Sequence, residues 1–264
     1  MTAEATSVAE ETLLVGDARL SLLRRGAGRP ALVLHGIEGP EGWLAFHEFL
    51  SRDSEVYAPS HPGFGSSERP DWMETVVHLA QFYEWFLRDQ ALTNVDVIGF
   101  GLGGWIAAEM ATMCSHNLAH LVLIDSSGVR PDSGEILDVF VRPWREVVSS
   151  SVFDPSAEEF RRIYEASPVQ DYGGPREAGR TMSMRLAYRP YMHSPALPSL
   201  LKAVRTPSLI VWGAEDRIIP VECGRQIQAA IPGSRLEVIE DCGHWPHYEK
   251  PRQLADTVKA FLRS

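Results

Sequence analysis

The chain has 264 residues, 44% of them hydrophobic and 23% charged, with a formal net charge of −10. That length suits one α/β domain with an insertion, and the composition supports a sizeable core. The acidic balance excludes a nucleic-acid surface and a polybasic membrane patch, both of which need clustered Lys and Arg.

In chain order, residues 1–11 are small, polar and acidic. They predict a flexible tail and not a secretory signal. Residues 12–15 and 19–23 are short β-rich runs split by Gly16-Asp17, a hairpin signal. Ala31-Leu-Val-Leu34 is a continuous apolar run, as expected of a strand buried on both faces of a parallel sheet. A helix around 43–50, a strand over 55–58 and a Pro/Gly/Ser-rich loop over 59–70 follow. Residues 75–91 carry Val76, Leu79, Ala80, Tyr83, Phe86 and Leu87 at helical spacing. A strand over 94–98, a helix over 102–113 and a strand over 120–124 come next. From 129 to 204 there is no strand-like run, only amphipathic segments at 135–149, 156–166 and 176–188, broken by prolines. Strands resume at 208–212 and 236–239, and a helix over 252–262 closes the chain. This alternation predicts an α/β fold: a mostly parallel eight-stranded sheet with helices on both faces. The core would be 12–128 and 205–264, with 129–204 inserted as a helical cap.

Cys114, Cys223 and Cys242 are odd in number and unpatterned, which predicts free thiols and a cytoplasmic protein. No apolar run approaches about 18 residues, so no membrane span is expected. No metal-ligand cluster is legible, so neither metal nor cofactor is expected. The expected partner is a small-molecule substrate, and the chain would be a monomer or homodimer.

Four motifs fall into register. Leu34-His-Gly-Ile-Glu-Gly39 follows a buried strand, and His61-Pro-Gly-Phe-Gly-Ser66 lies in the loop after another. Gly99-Phe-Gly-Leu-Gly-Gly104 joins a strand to a helix. Gly213-Ala-Glu-Asp216 and Gly243-His244 end the last two strands. This set resembles the α/β-hydrolase superfamily, and most closely its capped members that cleave esters or carbon–carbon bonds, among them the meta-cleavage-product hydrolases. In that family the strand–turn–helix carries G-x-S-x-G, with the nucleophilic serine on a sharp turn. Here the middle residue is Gly101, so the position has no side chain and the serine-assisted route is in doubt. Glycine there relieves a turn that needs positive φ, or it is a laboratory change that disables the enzyme.

The other family positions are filled. The resemblance makes Asp216 the acid and His244 the base of a dyad, in the family's chain order. An Asp that accepts from one imidazole nitrogen leaves the other nitrogen as a base. The bland alternative is a structural histidine beside an unrelated Asp. Asp125, also at a strand end, is a second candidate acid, and His247 reads as an ordinary loop histidine. By resemblance, the backbone N–H groups of Leu102 and Ile37 would form the oxyanion hole. Glu38 is either a second acid/base with its pKa raised by burial or a solvated loop glutamate pointing away. His61 reads as structural. Trp105, Met182, Met184, Tyr188 and Tyr191 line an apolar pocket or belong to the core. Arg185 and Arg189 bind a substrate carboxylate or lie on a solvated helix face. Cys242 reads as packing.

Two function classes remain. One is an enzyme without a protein nucleophile, in which His244 takes a proton from substrate or water for hydrolysis, C–C cleavage, elimination or isomerisation. The other is a ligand-binding pseudo-hydrolase. Gly99-x-Gly101-x-x-Gly104 also matches a dinucleotide fingerprint, with Asp125 about 20 residues on. Several strands precede it, however, and the Gly-His and Gly-x-x-Asp ends would go unexplained, so a nucleotide role is rejected.

Overall fold

The computed structural model describes residues 8–156 and 175–264. Eight strands form one sheet in the order β1-β2-β4-β3-β5-β6-β7-β8. They are β1 (Ala9–Val15), β2 (Ala18–Arg25), β3 (Arg29–Leu34), β4 (Ser54–Pro59), β5 (Val95–Phe100), β6 (Leu118–Ile124), β7 (Ser208–Gly213) and β8 (Arg235–Ile239). β2 is antiparallel to both its neighbours, and every other pairing is parallel.

The apolar runs become central strands because both faces of the sheet are covered. Along β3, Leu32 and Leu34 enter one core and Ala31 and Val33 the other. The same split recurs in β6, where Leu121 and Leu123 oppose Val122 and Ile124, and in β7, where Ile210 and Trp212 oppose Leu209 and Val211. Successive side chains of a strand point to opposite faces, so two buried faces demand an unbroken apolar run. Helices α2 (Val76–Asp89) and α3 (Leu102–Cys114) cover the first face, while α1 (Ala45–Leu50) and α9 (Pro251–Leu262) cover the second. Thr75 caps α2, its side chain accepting the His78 N–H at 3.1 Å. In α9, Leu254, Ala255, Val258, Phe261 and Leu262 form the single buried stripe.

Between β6 and β7 the described residues hold α4 (Trp144–Ser151), α5 (Pro175–Ala187) and α6 (Leu197–Leu200). The helix expected over 135–149 begins only at Trp144. Pro143 stands at its N-cap, where its missing N–H and fixed φ end any helix running into it. Residues upstream instead bond across the molecule, Leu137 N–H donating to the Ile218 carbonyl at 2.9 Å. Of the segment expected over 156–166, all but Ser156 lies outside the described residues.

Two further differences have simple causes. The tail expected over 1–11 gives way to strand from Ala9, because Ala9, Glu10 and Glu11 pair with Arg24, Leu23 and Leu22 of β2. The helix α7 (Val221–Ala230), which precedes the one-turn α8 (Pro246–Glu249), has no strong apolar signal in sequence. It buries only Cys223, Gly224 and Ile227. Among the described residues no helix is long and apolar enough to cross a membrane.

Candidate active site

The chemistry-bearing residues follow the carboxyl ends of β3, β5, β6, β7 and β8, where an open parallel sheet places its ligand crevice. The sharpest turn joins β5 to α3. Gly101 itself is bonded on both sides: its N–H donates to the Ile124 carbonyl at 3.0 Å, and its carbonyl accepts from the N–H groups of Trp105 and Ser127. The glycines here do different work. A Cβ on Gly99 would lie 2.2 Å from the Gly103 carbonyl oxygen, and one on Gly103 would lie 2.2 Å from that of Leu34. Those two permit backbone to approach backbone. Gly101 has φ of +48°, and a Cβ there would meet nothing nearer than His244 Nε2 at 3.5 Å. Gly36 Cα would be next at 3.7 Å.

His244 follows β8 and is nearly enclosed, with its side chain 7% exposed. Its Nδ1–H donates to Asp216 Oδ2 at 2.7 Å. Asp216 is fixed in turn, its Oδ1 accepting the N–H groups of Ile218 at 2.7 Å and Ile219 at 2.9 Å. The candidate dyad is therefore assembled with Asp216, not Asp125, as the acid. Because an ionised carboxylate only accepts, Nδ1 carries the ring proton and Nε2 is left with a lone pair facing Gly101. Burial lowers the His244 pKa, but the Asp216 charge, its hydrogen bond and then Glu38 outweigh this and raise it above the ordinary value of 6.5.

Glu38 does not point away. It is buried, and Oε1 accepts the Gly36 N–H at 3.0 Å. Its carboxylate covers Gly36 so closely that a Cβ on that glycine would sit 2.3 Å from Oε2. The sequence shows a glutamate in a glycine-rich loop but not the direction of its side chain. Burial raises the Glu38 pKa, partly offset by its own backbone, by His244 and by the Gly36 N–H. On another side Glu38 lines a small cavity with His35, His47, His247 and Tyr248.

Ile37 lies in this loop, half-buried, and Leu102 opens α3. The first N–H groups of a helix have no partner within it, and its dipole favours negative charge there. Asp125 is buried behind the dyad, with Oδ1 accepting the Gly213 N–H at 2.8 Å.

Other candidates are placed elsewhere. Trp105 is core, its indole N–H donating to Glu109 Oε1 at 3.0 Å. Met182 is buried against Gly63, whereas Met184 and Tyr188 are 38% and 41% exposed. Residues two apart on a helix face different ways, so Met182 and Met184 cannot share one pocket wall. Tyr191 gives its hydroxyl proton to the Leu137 carbonyl. Arg185 is no free carboxylate binder: its guanidinium donates to the Met73 and Asp71 carbonyls and to Glu74. Arg189 lies over the Tyr188 ring. His61 is buried, its Nε2–H donating to the His35 carbonyl and its Nδ1 accepting from Tyr83. Burial, and then Glu249, push the Cys242 thiol up, which keeps it from acting as a thiolate.

The model of the alpha/beta hydrolase family matches residues 31–257. The chain belongs to this family. It is 29% identical to a 2-hydroxy-6-oxo-2,4-heptadienoate hydrolase of Pseudomonas putida strain F1, over 95% of each chain. It is 27% identical to a 2-hydroxymuconate semialdehyde hydrolase of Pseudomonas putida, covering 95% of this chain and 92% of the relative. Among solved structures, the meta-cleavage product hydrolase CumD superposes with a TM-score of 0.81 at 24% identity, over 96% of this chain and 97% of that one. A 2-hydroxy-6-oxo-6-phenylhexa-2,4-dienoate hydrolase of Rhodococcus sp. strain RHA1 gives 0.78 at 20% identity, over 98% and 99%. In this member of the alpha/beta hydrolase family the turn that joins β5 to α3 is centred on Gly101.

Proposed function

We propose that this chain is a hydrolase or lyase that acts on a small, largely apolar molecule without a serine nucleophile. His244, oriented by Asp216, is its general base. The observation that carries this reading is the direction of Nε2, which faces the Cβ side of Gly101 at 3.5 Å, with no side chain between them. A water or an acidic C–H of the substrate occupies that position in the reaction.

In the hydrolytic form, Nε2 takes a proton from water, and the oxygen adds to the substrate carbonyl carbon. The carbonyl oxygen becomes an oxyanion held by the N–H groups of Leu102 and Ile37. The adduct collapses, the electron pair leaves with the departing carbon or oxygen, and the imidazolium returns its proton to that group. Elimination or isomerisation uses the same base on a C–H bond. Glu38 is the second acid/base, supported by its burial and its place over Gly36. Triad enzymes stripped of a member retain roughly 10³–10⁴-fold catalysis over water from the oxyanion hole and binding alone. The names of the relatives make 2-hydroxy-6-oxodienoates the first compounds to try.

The test is turnover of such dienoates by the unaltered protein, alongside labelling with a fluorophosphonate. The expected result is turnover without labelling of any serine. Turnover falls about 10²–10⁴-fold in His244→Ala, and strongly in Asp216→Asn, which misorients the ring. Stoichiometric serine labelling, or activity that survives both substitutions, overturns the reading. Binding without turnover makes the chain a non-catalytic binder.

A further inference from the structure

Asp125 is a buried acid for which the proposed reaction has no use. It follows β6, is 1% exposed and has φ of +45°. One oxygen is held by the Gly213 N–H, but Oδ2 is enclosed without any hydrogen-bond partner. Ligand atoms of Asp125, Asp216 and His244 all lie within 4.8 Å of one another. Two carboxylates this close and shielded from water repel too strongly for both to ionise. The donors around them decide which one keeps its charge. Asp216 accepts three N–H groups, from Ile218, Ile219 and His244. Asp125 accepts one. Hydrogen bonds to a carboxylate favour its charged form, and a buried oxygen with no donor disfavours it.

We propose that Asp125 is a positioning residue of the dyad: it holds a proton on Oδ2 and donates it in a hydrogen bond to Asp216, so that one negative charge lies behind His244 instead of two. This satisfies the enclosed Oδ2 and gives Asp216 a fourth donor. Burial, then the Asp216 charge, push the Asp125 carboxyl well above the ordinary carboxylate range. The other titratable groups facing the cluster are Glu249, Cys242 and Cys223 around the two carboxyls, and Glu38 and His247 around His244. Glu249 adds negative charge, and Cys242 stays a thiol. With a single charge on the Asp125–Asp216 pair, the imidazolium is matched by the one carboxylate that it touches. A second negative charge beside Asp216 would raise the His244 pKa further and weaken the ring as a base. The inference rests on the dyad geometry and deepens the proposed function by assigning a residue that acts through Asp216.

Two measurements test it without any substrate, so failure of the catalytic reading would leave them standing. The first is the titration of His244 by NMR in the parent and in Asp125→Asn. Asparagine has the same shape, can donate to Asp216 and can accept from Gly213. If Asp125 is neutral, the His244 pKa stays within a few tenths of a unit. If Asp125 is charged, removing that charge lowers the His244 pKa by about one unit or more, which overturns the proposal. The second uses only the parent protein, in case the variant does not fold. At neutral pH its infrared spectrum should show the C=O stretch of a protonated carboxylic acid that shifts on aspartate-specific ¹³C labelling. Absence of an aspartic acid band overturns the proposal.

Discussion

The backbone of Gly101 aims a side chain at His244, whose Nε2 stands 3.5 Å from the Cβ position. Gly101→Ser should therefore place a hydroxyl within hydrogen-bond reach of that nitrogen, about 2.6–3.2 Å in a competent pair. The left-handed φ of +48° will cost about 1–3 kcal/mol in a non-glycine residue. A domain of ordinary stability, about 5–15 kcal/mol, can bear this. We expect the variant to fold, to be labelled by fluorophosphonate and to hydrolyse a small activated ester faster than the parent. A folded variant that does neither would mean that the pocket is not arranged for acyl transfer. Large activity on a dienoate would instead make glycine the disabling change in a serine hydrolase.

Glu38 and His244 should titrate as a coupled pair. Each raises or lowers the other by its charge, so the apparent pKa values belong to both groups together. If one gives a proton while the other takes one, the active form carries a single proton between them. Activity should then rise with pH as the pair loses its first proton and fall as it loses the second, giving a bell-shaped kcat/KM profile. Glu38→Gln keeps the acceptor for the Gly36 N–H but cannot titrate. It should lower kcat by about 10²-fold or more and remove one limb of the bell. An unchanged profile would return Glu38 to a purely structural role.

Stability should fall as the solution is acidified, starting from an unusual group. Burial, the largest cause in each, depresses the pKa of His35, His47, His61 and His247, the first two to about 4. In the unfolded chain these rings take up protons near pH 6.5, so below that value protons favour unfolding. Their contribution is complete above pH 6.5 and is lost as the pH falls toward about 4. Each proton bound only on unfolding changes stability by about 1.4 kcal/mol per pH unit. The urea midpoint should thus decline steadily between pH 6.5 and 4, and replacing His47 with Gln should flatten the slope. A midpoint constant over that range would show that the rings are protonated in the folded state.

The strand–helix order was legible because the cause is local. A strand covered on both faces must be apolar along its buried length, and 31–34, 121–124 and 209–212 read that way before any tertiary contact is known. The elbow glycines, Asp216 and His244 were legible for a related reason: each sits at or just past the end of a strand, and turn chemistry is written in neighbouring residues. Boundaries failed where pairing across space decides them, as at Ala9, which is strand only because Arg24 lies opposite. The directions of Glu38 and Asp125 were equally out of reach. Sequence gives a carboxylate on a loop, which normally seeks water. Only the packed structure folds Glu38 over Gly36 and shuts Asp125 behind Asp216. Burial and neighbouring charge, not residue type, then determine which carboxyl holds a proton, and both are properties of the assembled fold.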